Sequence, residues 1–247
     1  MRRDSSNIMT VDKNQTLTLT SRSGQEIAVR IKINPRAKRL ILRLDEQKRE
    51  AVAIAPHRRL VKDAARFAEE RLEWIESRLD LLPEQISLGV GDRFCLLGRD
   101  CVISLDGEGR RARLIDGDPM VLSLPGEPET IGRRAERFLR KHAKQELSRA
   151  VAQYCETLGV DARRVTVKDT RSRWGSCTSD GRLAFSWRLV MAPLEVLEYV
   201  AAHECAHLLE MNHSNRFWAH VARCRPSWKR ERAWLRRHGA SLHAVSV

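Results

Sequence analysis

The sequence predicts an α+β protein in two parts: a β-rich N-terminal domain over 15–126 with a helical segment at 58–82, then a mainly helical domain over 129–240 carrying a small antiparallel sheet. Three observations predict it. Apolar residues alternate with polar ones at Leu17 and Leu19, at Ile27, Val29, Ile31 and Ile33, and at Leu40, Leu42 and Leu44, which is the two-residue period of a half-buried strand. From Ile131 to Leu158 the period lengthens to that of an amphipathic helix. Around His203, the residues Val196, Leu197, Val200, Ala201, Leu208 and Leu209 give a stretch apolar enough for a buried helix.

Along the chain, residues 1–14 are polar and are expected to form a flexible N-terminus. Turns at Ser23-Gly24, Pro35-Arg36-Ala37 and Glu46-Gln47-Lys48-Arg49 separate four strands, the last running through Ala51, Val52 and Ile54 to Pro56. Short connections throughout predict an antiparallel meander. Val61, Ala64, Ala65, Ala68, Leu72, Ile75 and Leu79 then fall at helical spacing, and Pro83 ends that segment. Strands return at Arg93–Leu97, Cys101–Leu105, Leu114-Ile115 and Met120–Leu124, and Pro125-Gly126-Glu127-Pro128 marks the expected domain boundary. The long helix beyond it keeps Ile131, Ala135, Phe138, Leu139, Leu147, Val151, Tyr154 and Leu158 on one face and stops at Gly159. His142 on that face reads as a packed imidazole. Val165 and Val167 predict a strand, and Arg173–Thr178 with Arg182–Trp187 a hairpin. Helices are expected from Pro193, after Ser214, and from Trp228 to Arg237. No internal repeat is visible.

The chemistry concentrates in His203-Glu204-Cys205-Ala206-His207, with His213 beyond it after five intervening residues. Two histidines four residues apart share one helix face and can hold one metal ion. Glu204 can reach a water at that ion without ligating it. A carboxylate without a partner is costly in an apolar helix, so its presence there argues for chemistry. Ser214 reads as a helix N-cap, which puts His213 in a tight turn able to return to the ion. With no glycine between Leu209 and His213, Asn212 is the expected left-handed residue of that turn. Three imidazoles leave one position of a zinc ion open to water, the arrangement of a hydrolase rather than of a closed structural site. Cys205 faces away from the ligands and reads as packing. Cys177 would close a four-ligand site and is set aside. Glu210 either hydrogen-bonds a ligand imidazole or faces water, and His220 reads as a helix-surface or packing residue.

Composition bounds the partners. The 247 residues are 42% hydrophobic and 31% charged, which suits a soluble chain able to bury a core. No apolar run has membrane-spanning length, and basic residues at the start have no apolar stretch after them, so a cytoplasmic protein without membrane partners is expected. The six cysteines form no C-x-x-C pair and read as reduced thiols. The net charge of +13 admits nucleic acid as a partner, but no motif specifies one. Arg171 and Arg173 beside a metal would also suit a small phosphorylated substrate.

Three pieces occur together: Ser172-Arg173-Trp174-Gly175-Ser176-Cys177, the His203–His207 motif, and Glu210-Met211-Asn212-His213-Ser214-Asn215-Arg216-Phe217-Trp218. Jointly they resemble the YgjP-like metallopeptidase family, a zincin group related to SprT-like proteases. The likeness is strongest over 130–238 and extends forward to the basic Arg36-Ala37-Lys38-Arg39 strand entry and the helix bearing Trp74. The ligand spacing also matches metzincins, but those carry glycine where Glu210 stands, and no methionine comes after Met211. The resemblance implies a zincin-like second domain and a zinc-dependent hydrolase with one Zn²⁺. His203, His207 and His213 would bind the metal and Glu204 would be catalytic. In zincins an edge strand borders the cleft and pairs with an extended peptide, which makes Arg173, Trp174 and Ser176 the substrate-side candidates. Arg173 there either stabilises an oxyanion or anchors the hairpin, and Trp174 and Gly175 read as packing. Two other functions stay open on the sequence: a metal-dependent nucleotide phosphohydrolase, and a nucleic-acid-associated binding protein with a structural metal site.

Overall fold

The computed structural model describes residues 16–21, 23–45, 48–82, 85–106, 109–170 and 172–246; the expected flexible residues 1–14 and the helix stop at Pro83 lie outside them. The fold is α+β, with six α-helices and several small sheets among the described residues. The chain divides into two compact units, Met1–Gln85 and Ile86–Val247. None of the described helices is long and apolar enough to cross a membrane.

The first unit holds strands β1 (Thr16–Thr20), β2 (Glu26–Ile33), β3 (Ile41–Asp45) and β4 (Glu50–Ala55), then helices α1 (Val61–Glu69) and α2 (Leu72–Asp80). The sheet order is β1-β2-β4-β3, with the central pair β2 and β4 parallel. This corrects the expected antiparallel meander. Ala51, Val52, Ala53 and Ala55 of β4 are buried, so both faces of that strand suit a sheet centre. β3, half exposed and carrying Arg43 and Asp45, takes the edge instead. The link from β2 to β3 is shaped by Asn34, whose side chain accepts a hydrogen bond from the Arg36 amide at 3.1 Å. The core joins Leu17, Leu19, Ile27, Val29 and Ile31 to Ala64, Ala65, Ala68, Ile75 and Leu79 of the helices.

The second unit begins with β5 (Ile86–Ser87), β6 (Arg93–Leu96), β7 (Arg99–Asp106), β8 (Arg113–Ile115) and β9 (Met120–Pro125). Its four-stranded sheet runs β6-β7-β9-β8, again with a parallel central pair. The two units therefore carry four-stranded sheets of the same strand order, a repeat of topology that the sequence does not display. After the sheet comes α3 (Ile131–Leu158), whose C-terminus closes on Gly159 at φ +70° as expected. Beyond it lie β10 (Arg164–Lys168), β11 (Gly175–Cys177), β12 (Arg182–Ser186), a short 3₁₀ segment Trp187–Met191, α4 (Leu194–Ala206), α5 (Asn215–Cys224), α6 (Trp228–His243) and β13 (Val245–Ser246).

Two expectations change here. The boundary expected at 125–128 lies instead after Gln85. Leu96, Ile103, Leu122 and Leu124 share one core with Ile131, Ala135 and Leu139 of α3, so those strands belong with the helices. The small sheet expected to be antiparallel is mixed: β11 pairs antiparallel with β12, but β10 pairs parallel with it. The long connection from β10 to Gly175 lets β11 occupy the edge, in the order β10-β12-β11. Behind this sheet Arg188, 2% exposed, donates to Asp169 and to the backbone carbonyls of Leu242 and Val245. Its guanidinium also lies over the Trp187 ring. Those bonds tie the 3₁₀ segment to the end of α6.

Candidate metal centre

The site is built on α4. Leu197, Val200, Ala201, Cys205 and Ala206 bury this helix from several sides, which holds the remaining positions rigidly. His203 stands one turn before the helix end, and His207 is the C-cap residue, in right-handed helical conformation. No described residue from Leu208 to His213 has positive φ, so Asn212 is not the left-handed turn residue the sequence suggests. The helix unwinds instead through tighter bonds, Leu208 N–H to Cys205 C=O and Leu209 N–H to Ala206 C=O. Ser214 then caps α5, its hydroxyl accepting from the Phe217 amide at 3.3 Å, as expected.

That turn returns His213 to the other two histidines. Ligand nitrogens of His203, His207 and His213 all lie within 4.8 Å of one another. The Nε2 atoms of His203 and His213 are 3.2 Å apart. Nitrogens bound to one tetrahedral zinc ion stand about 3.3–3.4 Å apart, so the rings fit a shared divalent cation. His207 Nδ1 lies 3.1 Å from the Glu210 backbone carbonyl, which fixes its ring and leaves Nε2 toward the cluster. The carbonyl of Glu210 rather than its carboxylate makes this contact. His203 Nδ1 is buried with no hydrogen-bond partner. Burial, then the neighbouring His207 and His213, push the His203 imidazole down to about 3, and burial also lowers His207. Unprotonated imidazoles offer lone pairs to a cation.

Glu204 is 4% exposed and sits beneath β11. Gly175 makes this possible: a Cβ at that position would lie 2.6 Å from the Glu204 Cγ. Burial pushes the Glu204 carboxyl up to about 8, opposed by the charge of Arg173. A divalent cation at the three imidazoles would favour the ionised carboxylate.

The other candidates fall in different places. Arg173 is exposed and near enough to Glu204 to act on its charge. Trp174 stacks on His243 at 4.5 Å and packs on Gly239. Ser176 lies mid-way along edge strand β11, opposite Ala184. Arg171 lies outside the described residues. Cys177 is pushed up to about 11 by burial and then by Glu204, so it stays a thiol, and it is not part of the imidazole cluster. Cys205 faces Cys155 of α3, Sγ to Sγ 3.9 Å, on the side away from the ligands.

Sequence reasoning misses three residues. Phe217 is fully buried, with ring centroids 4.8, 4.5 and 4.7 Å from those of His203, His207 and His213, and it forms an apolar wall for all three. Tyr199 meets His203 edge-on at 6.0 Å. Gly175, which the sequence suggests as part of a hairpin anchor, proves to be the seat of Glu204. A cavity of about 640 Å³ opens beside His207, lined by Asp161, Asp180, Leu209 and Met211 among others.

Comparison with known proteins supplies the rest. No curated protein matches the chain. Among solved structures, the metallopeptidase zymogen of Pyrococcus abyssi abylysin is similar at 20% identity and a TM-score of 0.35, over 41% of this chain and 99% of that one. Residues 38–238 match the family described as YgjP-like, metallopeptidase domain. That match spans most of the sequence and contains every histidine of the cluster: the chain belongs to the YgjP-like metallopeptidase family.

Proposed function

We propose that this protein is a zinc-dependent peptidase in which His203, His207 and His213 hold one Zn²⁺ and Glu204 is the general base. The observation that carries the reading is the convergence of three imidazoles beside a buried carboxylate. Bound there, zinc would polarise the scissile carbonyl and acidify water. Glu204 takes the proton from the attacking water and returns it to the departing amine. The Glu210 carbonyl keeps the His207 ring in one tautomer. In this reading edge strand β11 pairs with an extended peptide through the segment that contains Ser176, and Arg173, close enough to act on the Glu204 charge, stabilises the developing oxyanion. Membership of a metallopeptidase family favours a peptide over a phosphorylated substrate. The open fourth position favours catalysis over a structural metal. Six free thiols support a reducing, cytoplasmic setting.

Glu204→Gln tests the role. The variant should keep its zinc, measured by atomic absorption, and lose about 10²–10⁴-fold in turnover of a casein-type peptide. Full turnover with bound zinc would remove Glu204 from the mechanism. His213→Ala should release the metal itself.

A further inference from the structure

A strongly cationic concavity of the second unit is lined by none of the three clustered histidines. A cavity of about 370 Å³ lies between α3, the end of β9 and the segment before β8. Arg134, Arg137 and Lys141 line it from one face of α3, and Arg110 and Arg111 from the segment opposite. No Asp or Glu lines it, and among the described residues none of these five cations makes an ion pair. Glu136, next to Arg137 in sequence, is paired instead with Arg140.

Like charges at helical spacing repel one another, so such a cluster in one concavity calls for a counter-charge. One of the five is built into place. The Arg134 Nε donates to Thr130 Oγ1 at 3.2 Å. Its guanidinium also rests on Gly126, where a Cβ would lie 2.6 Å from Nε and where φ is +107°. Guanidinium forks match phosphate oxygens better than any other side chain does. The cavity also has an apolar and aromatic side. Leu124 and Pro125 are buried at its floor, and Phe138 and His142 line it as a stacked pair, centroids 5.8 Å apart and planes 15° apart. A ring pair beside cations is a platform for a base next to its phosphates. The volume lies in the range of small-ligand sites.

We propose that this cavity binds a nucleoside phosphate unit, with the phosphates on the five cations and the base against Phe138 and His142. The unit is either a free nucleotide or one residue of a single strand. The site is separate from the imidazole cluster and does not depend on the peptidase reading.

The test is fluorescence anisotropy of the full chain with a fluorescein-labelled oligothymidylate, with adenosine triphosphate and poly-glutamate as competitors. The doubly reversed variant Arg137→Glu/Lys141→Glu should weaken binding tenfold or more and reduce its salt dependence. Phe138→Leu keeps the apolar bulk and removes the π face, and should cost about fivefold or more. Arg59→Glu/Lys62→Glu makes the same change in net charge at exposed positions of the first unit and should leave affinity within about twofold. Competition by adenosine triphosphate at low concentration identifies a free nucleotide; binding of the oligomer without such competition identifies a strand. Absence of binding, equal loss in the two charge-reversed proteins, unchanged affinity in Phe138→Leu, or competition by poly-glutamate as strong as by the oligomer would each overturn the assignment. Circular dichroism melts keep misfolding distinguishable from lost contacts.

Discussion

The two four-stranded sheets share one strand order and differ in the helices attached to them. The first leads into α1 and α2, nine residues each; Ala64, Ala65 and Ala68 let α1 lie close to the strands, and α2 buries Ile75 and Leu79. The second leads into the 28-residue α3, long enough to serve two layers. Ile131 and Ala135 share a core with β9, while Leu147, Ala150 and Val151 lie toward the end of α3 where Cys155 meets Cys205 of α4. Among the described residues the first unit buries no ionisable side chain, whereas the second buries Arg188, Glu204 and Glu231. Strand order alone therefore does not make a site. A site arises here because a helix extends past its sheet and gives a second helix, α4, a dry surface on which to hold charged and imidazole groups.

The largest expected effect separates the two cores. Leu147→Ala and Ile75→Ala each empty a fully buried position and should each cost about 2–5 kcal/mol. Calorimetry with zinc analysis should find metal lost with the first and retained with the second. Metal loss in Ile75→Ala would break the comparison.

Acidity sharpens it further. In the metal-free protein the lowered His203 makes stability fall as pH drops from 6.5 through about 3. The raised Glu204 makes stability fall as pH rises from 4.5 through about 8. The His203 and Glu204 slopes oppose each other between 4.5 and 6.5, where the lowered His207 adds to the acid side, so melting in chelator should change least there and decline on both sides, by on the order of a few kcal/mol in all. Glu204→Gln should abolish the alkaline decline and turn the stretch between 4.5 and 6.5 into a slope that falls toward acid, because nothing then opposes His203.

Glycines give the next contrast. Gly175→Ala drives a methyl group into Glu204 and should cost about a hundredfold in turnover, the scale of an ångström misplacement. Gly24→Ala in the first unit meets no atom within 4 Å, so only its φ of +85° opposes it; it should lose roughly 1 kcal/mol of stability and no activity. The smallest effect is Ser214→Ala, which removes the cap of α5 and should cost about 1 kcal/mol while loosening zinc through His213.

Local pattern reveals much and geometry at a distance little. Alternation at Ile27–Ile33 and the period through α3 mark those elements, and the His203 motif with the Ser214 cap places all three imidazoles. The parallel β2–β4 pairing is hidden because period two specifies which face is buried, not which neighbour is chosen. Pro125-Gly126 resembles a domain linker, yet it is a turn within one core, since Leu124 and Ile131 bury together. Residue preference ranks Asn212 next to glycine for a left-handed role, but the turn is made with 3₁₀-type bonds that need no such residue. Phe217 and Gly175 stand inside the motif pieces, but their roles are not legible there because they exist only once β11, α4 and α5 are brought together.

The Phe217–Trp218 pair has a practical corollary. Trp218 stacks on His213 at 5.8 Å and on Trp228 at 4.2 Å. Engaging the His213 imidazole with a cation would change the charge and electronic character of the ring stacked on the Trp218 indole. The centre thus carries its own optical indicator, whose emission should report occupancy in real time without any added dye.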